Sequence, residues 1–162
     1  LEEITKGDFM TAYEKLLHEA YSIGLIVKEV NLITRKGRCV GNRIAIDKNI
    51  KTDAEKACIL KEEIAHYLTT VGDITDQTNI LNIKQEKLAR RIAIEKLCSL
   101  DKIVESIRNG AMNKYDIIEM LNITEELFDE SITYYSSKQN DYITDDIILH
   151  FDNKLLIYRK YF

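Results

Sequence analysis

The chain has 162 residues, 45% hydrophobic and 31% charged, which is the balance of one ordinary globular domain and excludes a disordered chain. Its formal net charge of -4 argues against a main partner with a nucleic-acid backbone, although a local basic patch is compatible with it. The three cysteines, Cys39, Cys58 and Cys98, fit neither a disulfide framework nor a C-x-x-C zinc signature, so buried free thiols in a reducing, cytoplasmic compartment are expected.

No apolar run approaches the roughly 20 residues that a membrane-spanning helix needs, and none reads as a signal peptide. Met10 opens a strongly helical stretch, and no function is expected of the nine residues before it. Residues 8–23 read as an amphipathic helix, with Phe9, Tyr13, Leu16, Leu17 and Ala20 at helical spacing and Gly24 placed to end it. Residues 25–29 and 38–46 read as strands, the second turning at Gly41-Asn42, and together they predict a small antiparallel sheet. Thr52 and Glu55 form a capping-box pattern that starts a helix expected to reach Val71 and stop at Gly72. A polar loop over 73–82 leads to a third helix over 84–97 and a short fourth over 101–108, closed by Asn109-Gly110.

Residues 114–121 and 125–135, joined by Asn122-Ile123-Thr124, have a helix-turn-helix rhythm. The chain then predicts a hairpin of residues 142–150 and 154–161 around Asp152-Asn153. The fold class is α+β and mainly helical, with a small sheet, a helical tail and a C-terminal hairpin.

Glu62, Glu63 and His66 carry the clearest chemistry. Residues four apart share a helix face, so Glu62 and His66 can address one ion while Glu63 lies on the flank of that pair. This is the layout of H-E-x-x-H, in which two histidines hold zinc and the glutamate activates a water. Glu62 replaces the first histidine, and a carboxylate is itself a competent ligand. The plainer reading is a charged cluster on a solvated helix. The apolar neighbours Ile64, Ala65, Tyr67 and Leu68 work against it, because a half-buried histidine beside carboxylates wants a partner.

Residues 56–74, centred on Glu62-Glu63-Ile64-Ala65-His66, resemble the active-site helix of phage- and prophage-type ImmA/IrrE proteins. Residues 84–97, with Gln85-Glu86, Ala89-Arg90-Arg91 and Ala93, are similar to the helix that follows it in that family. The order of helix, small sheet and motif helix matches as well, and the resemblance covers residues 10–100 and continues more loosely beyond. It implies a zincin-like minimal fold, with residues 1–100 as a metallopeptidase-like core and 101–162 as a helical pair and hairpin packed on it, one domain overall. It further implies metal-dependent hydrolysis of a peptide bond in a protein partner such as a helix-turn-helix repressor, with no direct contact to nucleic acid or membrane.

Carried over by position, Glu63 takes the place of the general base, His66 of the second histidine ligand and Glu62 of the first. Leu88 falls where the family's third ligand, a glutamate, is usually found, and Glu86 is the nearest carboxylate able to replace it. Asp73 and Glu95 are remoter substitutes. Such an oxygen-rich set activates water on Zn²⁺ less strongly and shifts preference toward Mn²⁺ or Fe²⁺. With two ligand positions altered, the fold can also serve without metal, as an inactive protein-binding regulator.

A DNA-binding regulator is the second alternative, and it meets an obstacle in the helix over 125–135. That helix carries Glu125, Glu126, Asp129 and Glu130, while Thr124 and the first two glutamates are explained by capping and the helix dipole. On the basic helix over 84–97, one of Arg90 and Arg91 is expected to turn inward to anchor carboxylates of the motif helix. Tyr67 is expected to pack. His18 and His150 have no ligand-spaced companion and read as structural or exposed.

Overall fold

The computed structural model describes residues 10–69, 80–152 and 154–160, and these divide into two compact units, Leu1–Arg90 and Arg91–Phe162. The boundary lies within a helix. The α+β, mainly helical class holds.

The first unit opens with helix α1 (Ala12–Ser22), capped by Thr11 and Glu14 in a reciprocal capping box. Strand β1 (Ile26–Val30) follows a tight turn in which Gly24 takes φ +81°, a conformation that glycine adopts without the clash a side chain would meet. Strands β2 (Gly37–Val40) and β3 (Arg43–Asp47) form the predicted hairpin. The sheet is mixed, however, and not antiparallel throughout: its order is β1-β3-β2, and β1 runs parallel to β3. Residues 31–36 carry the chain past the end of β3, so β2 returns on the far side and becomes an edge strand.

Helix α2 (Asp53–Thr69) starts at Thr52, whose hydroxyl accepts from the Glu55 N–H at 3.2 Å, as the capping pattern predicts. Its continuation to Val71 and Gly72, most of the loop over 73–82, and Asp73 lie outside the described residues. Val27, Ile44 and Ile46 from the sheet meet Leu16 and Ala20 of α1 and Leu60 and Ile64 of α2 in one core. Lys61 is 4% exposed and is held by Glu19 at 2.6 Å, which ties α2 to α1 through a charge that could not be buried alone.

Helix α3 (Ile80–Leu97) begins four residues before its predicted start at Lys84 and passes from one unit into the other. The second unit continues with α4 (Leu100–Arg108), α5 (Lys114–Leu121) and α6 (Glu125–Ser136), capped at their N-termini by Ser99, Asn113 and Thr124. Asn122 ends α5 in the left-handed region at φ +51°, which an asparagine tolerates better than most residues.

The predicted strand over 142–150 is two strands, β4 (Asp141–Ile143) and β5 (Ile147–Phe151). Between them Thr144 turns the chain: its N–H donates to the Ile147 carbonyl at 2.8 Å, and its hydroxyl accepts from the Ile147 N–H at 3.1 Å. With β6 (Leu155–Arg159) they make an antiparallel meander, β4-β5-β6, where a two-stranded hairpin was expected. Phe128, Ile132 and Tyr135 of α6 pack with Ile147, Leu149 and Phe151, and the Tyr135 hydroxyl donates to the Cys98 carbonyl at 3.1 Å.

Candidate functional site

Helix α2 buries Ala57, Cys58, Leu60, Lys61, Ile64 and Ala65, so Glu62, Glu63 and His66 emerge along one flank of that core-facing stripe. Tyr67, expected to pack, is 37% exposed, because the helix turns its next positions outward. The motif residues find partners on α3 and on β2.

The α3 partners form a ladder. His66 Nε2 faces Glu86 Oε2 at 3.2 Å, and Glu62 is bonded to Arg90. Each pair uses positions four apart on its own helix, 62 and 66 against 90 and 86, so two polar rungs one turn apart join antiparallel segments. This is the inward arginine expected from sequence. Glu95 bonds instead to the Tyr134 hydroxyl and lies 3.8 Å from Lys138, so the carboxylate brought to His66 is Glu86.

The β2 partner is the edge of the sheet. The Asp47 N–H donates to the Lys36 carbonyl, and the antiparallel register then turns Arg38 and Val40 toward β3 and leaves the backbone groups of Gly37 and Cys39 facing outward. The outward Cys39 N–H donates to the Glu63 carboxylate. A Cβ on Gly37 would stand 2.5 Å from Ile59 Cγ2 and 2.8 Å from Glu63 Oε1, so only glycine lets the strand lie this close to α2.

Burial pushes the Glu63 carboxyl up to about 7, and the nearby Glu86 adds to the shift, while Arg35 and the Cys39 N–H oppose it. A carboxyl with that value takes and gives protons near neutrality. Cys39 is half-buried where full burial was expected, because β2 is an edge strand, and burial beside Glu63 raises its thiol to about 11. It is therefore a poor nucleophile. Cys58 and Cys98 are buried free thiols, as expected.

Two of the three expected ligands suit a metal. Donors bonded to one ion at about 2.0–2.1 Å stand roughly 3.3 Å apart at the tetrahedral angle. The 3.2 Å between His66 Nε2 and Glu86 Oε2 thus serves an ion as well as an ion pair. His66 Nδ1 is buried and has no hydrogen-bond partner among the described residues. The third, Glu62, has one carboxylate oxygen bonded to Arg90, and no group of three His, Cys, Asp or Glu stands ready as a cage among the described residues. His18 is exposed, and His150 pairs with Asp141 across the second sheet at 2.6 Å.

Gly37 carries a signal that sequence reading passed over: an isolated glycine inside a strand marks close approach of another element. Arg35 carries none, since its loop position says nothing of Glu63. The chain matches no known protein family, no curated protein and no solved structure.

Proposed function

We propose that the chain is a metal-dependent peptidase of the ImmA/IrrE type, acting on a protein partner such as a helix-turn-helix repressor. One observation carries this reading: Glu63, with a carboxyl raised to about 7, lies three residues before His66 of the His66–Glu86 pair and against an open strand edge. His66 and Glu86, with Glu62 as a third donor, would hold a Zn²⁺, Mn²⁺ or Fe²⁺ ion. When bound, that ion supplies Lewis acidity.

Glu63 takes a proton from the attacking water and passes it to the leaving amine. The Cys39 N–H keeps the Glu63 carboxylate in place between the two transfers. The outward backbone groups of Gly37 and the Cys39 carbonyl can pair with an extended peptide and align its scissile bond along α2. Free thiols at Cys39, Cys58 and Cys98 favour a reducing, cytoplasmic setting, and no described helix is long and apolar enough to cross a membrane.

A second reading rests on the same ladder. Glu86 already faces His66 Nε2 and Arg90 already supplies a cation at Glu62, which suits an inactive regulator that binds a protein through this fold. Elemental analysis of the purified protein beside a His66→Ala variant separates the two. Near-stoichiometric metal, lost in the variant, is the expected result. A wild-type protein that stays empty after addition of Zn²⁺, Mn²⁺ and Fe²⁺ leaves the regulator.

A further inference from the structure

The first sheet has two unlike faces. Val27, Ile44 and Ile46 project toward α1 and α2 and are buried. On the opposite face Ile26, Lys28, Val30, Arg38, Val40, Arg43 and Ala45 line an open depression. Ile26 is 41% exposed, Val30 37% and Val40 58%, and Lys28, Arg38 and Arg43 are exposed beside them. None of these three cations has a carboxylate partner among the described residues. The one acid at the margin, Asp47, accepts from the Asn49 N–H at 3.2 Å and from the Asn49 side chain at 3.0 Å.

The strand register gives this face its pattern. One cross-strand row reads Ile26, Arg43, Val40, and the next reads Lys28, Ala45, Arg38. Neighbouring strands lie about 4.8 Å apart, so the three cations fall within roughly 10 Å of one another. That is about one Debye length at physiological salt, and their fields add. They do so on a chain whose formal net charge is -4.

We infer that this face is a docking surface for an acidic amphipathic segment of a partner protein. Alternating apolar and acidic side chains on such a segment meet the alternation of the rows, with the small Ala45 leaving room for an apolar side chain between Lys28 and Arg38. Carboxylates neutralise the three cations, and Ile26, Val30 and Val40 leave water. A nucleic-acid backbone would satisfy the charges but set the three aliphatic side chains against sugar and phosphate, with no apolar gain. A lipid surface wants aliphatic side chains foremost and cations at the rim. Here Arg43 stands between Ile26 and Val40, in the middle of the apolar set.

The test uses the full chain and synthetic fluorescent peptides in which leucine alternates with a polar position, occupied by Glu, Gln or Lys. Fluorescence anisotropy should show the Glu peptide binding at least roughly tenfold tighter than the Lys peptide. A Lys28→Glu/Arg38→Glu/Arg43→Glu variant should abolish that preference, with its fold checked by circular dichroism. An Ile26→Ser/Val40→Ser variant, which keeps every charge, should weaken the Glu peptide as well. The proposal is overturned by equal binding of the Glu and Lys peptides, or by a preference that survives charge reversal. It is also overturned if duplex DNA or phosphatidylserine vesicles bind this face more tightly than the Glu peptide, or if sedimentation shows a dimer that the charge-reversal variant dissolves.

Discussion

Glu63 is the side chain on which the proposed chemistry turns, and its raised carboxyl pKa has a consequence for stability. In the unfolded chain the group titrates near its ordinary value of 4.5, and in the metal-free fold near 7. The folded state therefore binds the proton more tightly, and the stability this adds is fully present below pH 4.5 and is lost as pH rises through 7. Glu63→Gln removes the dependence. Metal-free wild type and variant should have similar melting temperatures at pH 4.5, and at pH 8 the variant should be the more stable by roughly 2–3 kcal/mol. Thermal melts in chelator at the two pH values decide it, and a difference that does not change with pH removes Glu63 as the buried acid. The motif makes Glu63 legible in sequence because its spacing from His66 is local. Its proton affinity is set foremost by burial and then by Glu86, both products of tertiary packing. The groups that oppose them, Arg35 and the Cys39 N–H, come from a loop and a strand more than twenty residues earlier, so no local pattern connects them to it.

Two contacts between elements organise the site. The first is β2 against α2 at Gly37. Gly37→Ala forces Ile59 and Glu63 aside, and a crowded side chain of this kind costs about 1–3 kcal/mol, readable as a lower urea midpoint. An unchanged midpoint would mean that β2 does not press on α2 as described. The second contact is the α2–α3 ladder. If Glu62 is a ligand that Arg90 holds back, Arg90→Gln should tighten metal binding by about tenfold and Glu62→Gln should weaken it by a similar factor. If Glu62 serves only as the counter-ion of Arg90, both variants leave metal affinity unchanged. Competition titrations with a chromogenic chelator give opposite signs in the first case and none in the second. Helices were the legible part of these elements: Thr52, Thr124 and Asn109-Gly110 mark their ends through local capping chemistry. Strand pairing was not legible, since the parallel partnership of β1 with β3 depends on where residues 31–36 carry the chain. The break of residues 142–150 into β4 and β5 depends on a threonine turn hidden in an apparent strand.

At the scale of the molecule, charge is divided in a way that a net value of -4 conceals. The first unit carries the basic sheet face. In the second unit α6 exposes Glu125, Glu126 and Asp129, and Lys114 of α5 is already committed to Glu125 at 2.7 Å and Asp129 at 3.0 Å. Those carboxylates hold the Lys114 ammonium above its usual range, Glu125 foremost, so it stays charged and stays paired. A second helix of a helix-turn-helix works by offering cations and donors to phosphates and base edges, and this one offers carboxylates. The protein should therefore give no mobility shift with duplex DNA even at about 50 mM salt, where backbone contacts are strongest. A Lys28→Glu/Arg38→Glu/Arg43→Glu variant should behave identically. A shift in wild type that fades steeply with salt and vanishes in the variant would assign the sheet face to nucleic acid. One that persists in the variant would point to a basic surface elsewhere and revive the DNA-regulator reading. The acidity of α6 is plain in the sequence, whereas the basic face is not. Lys28, Arg38 and Arg43 are scattered over three strands and meet only because β3 runs between β1 and β2.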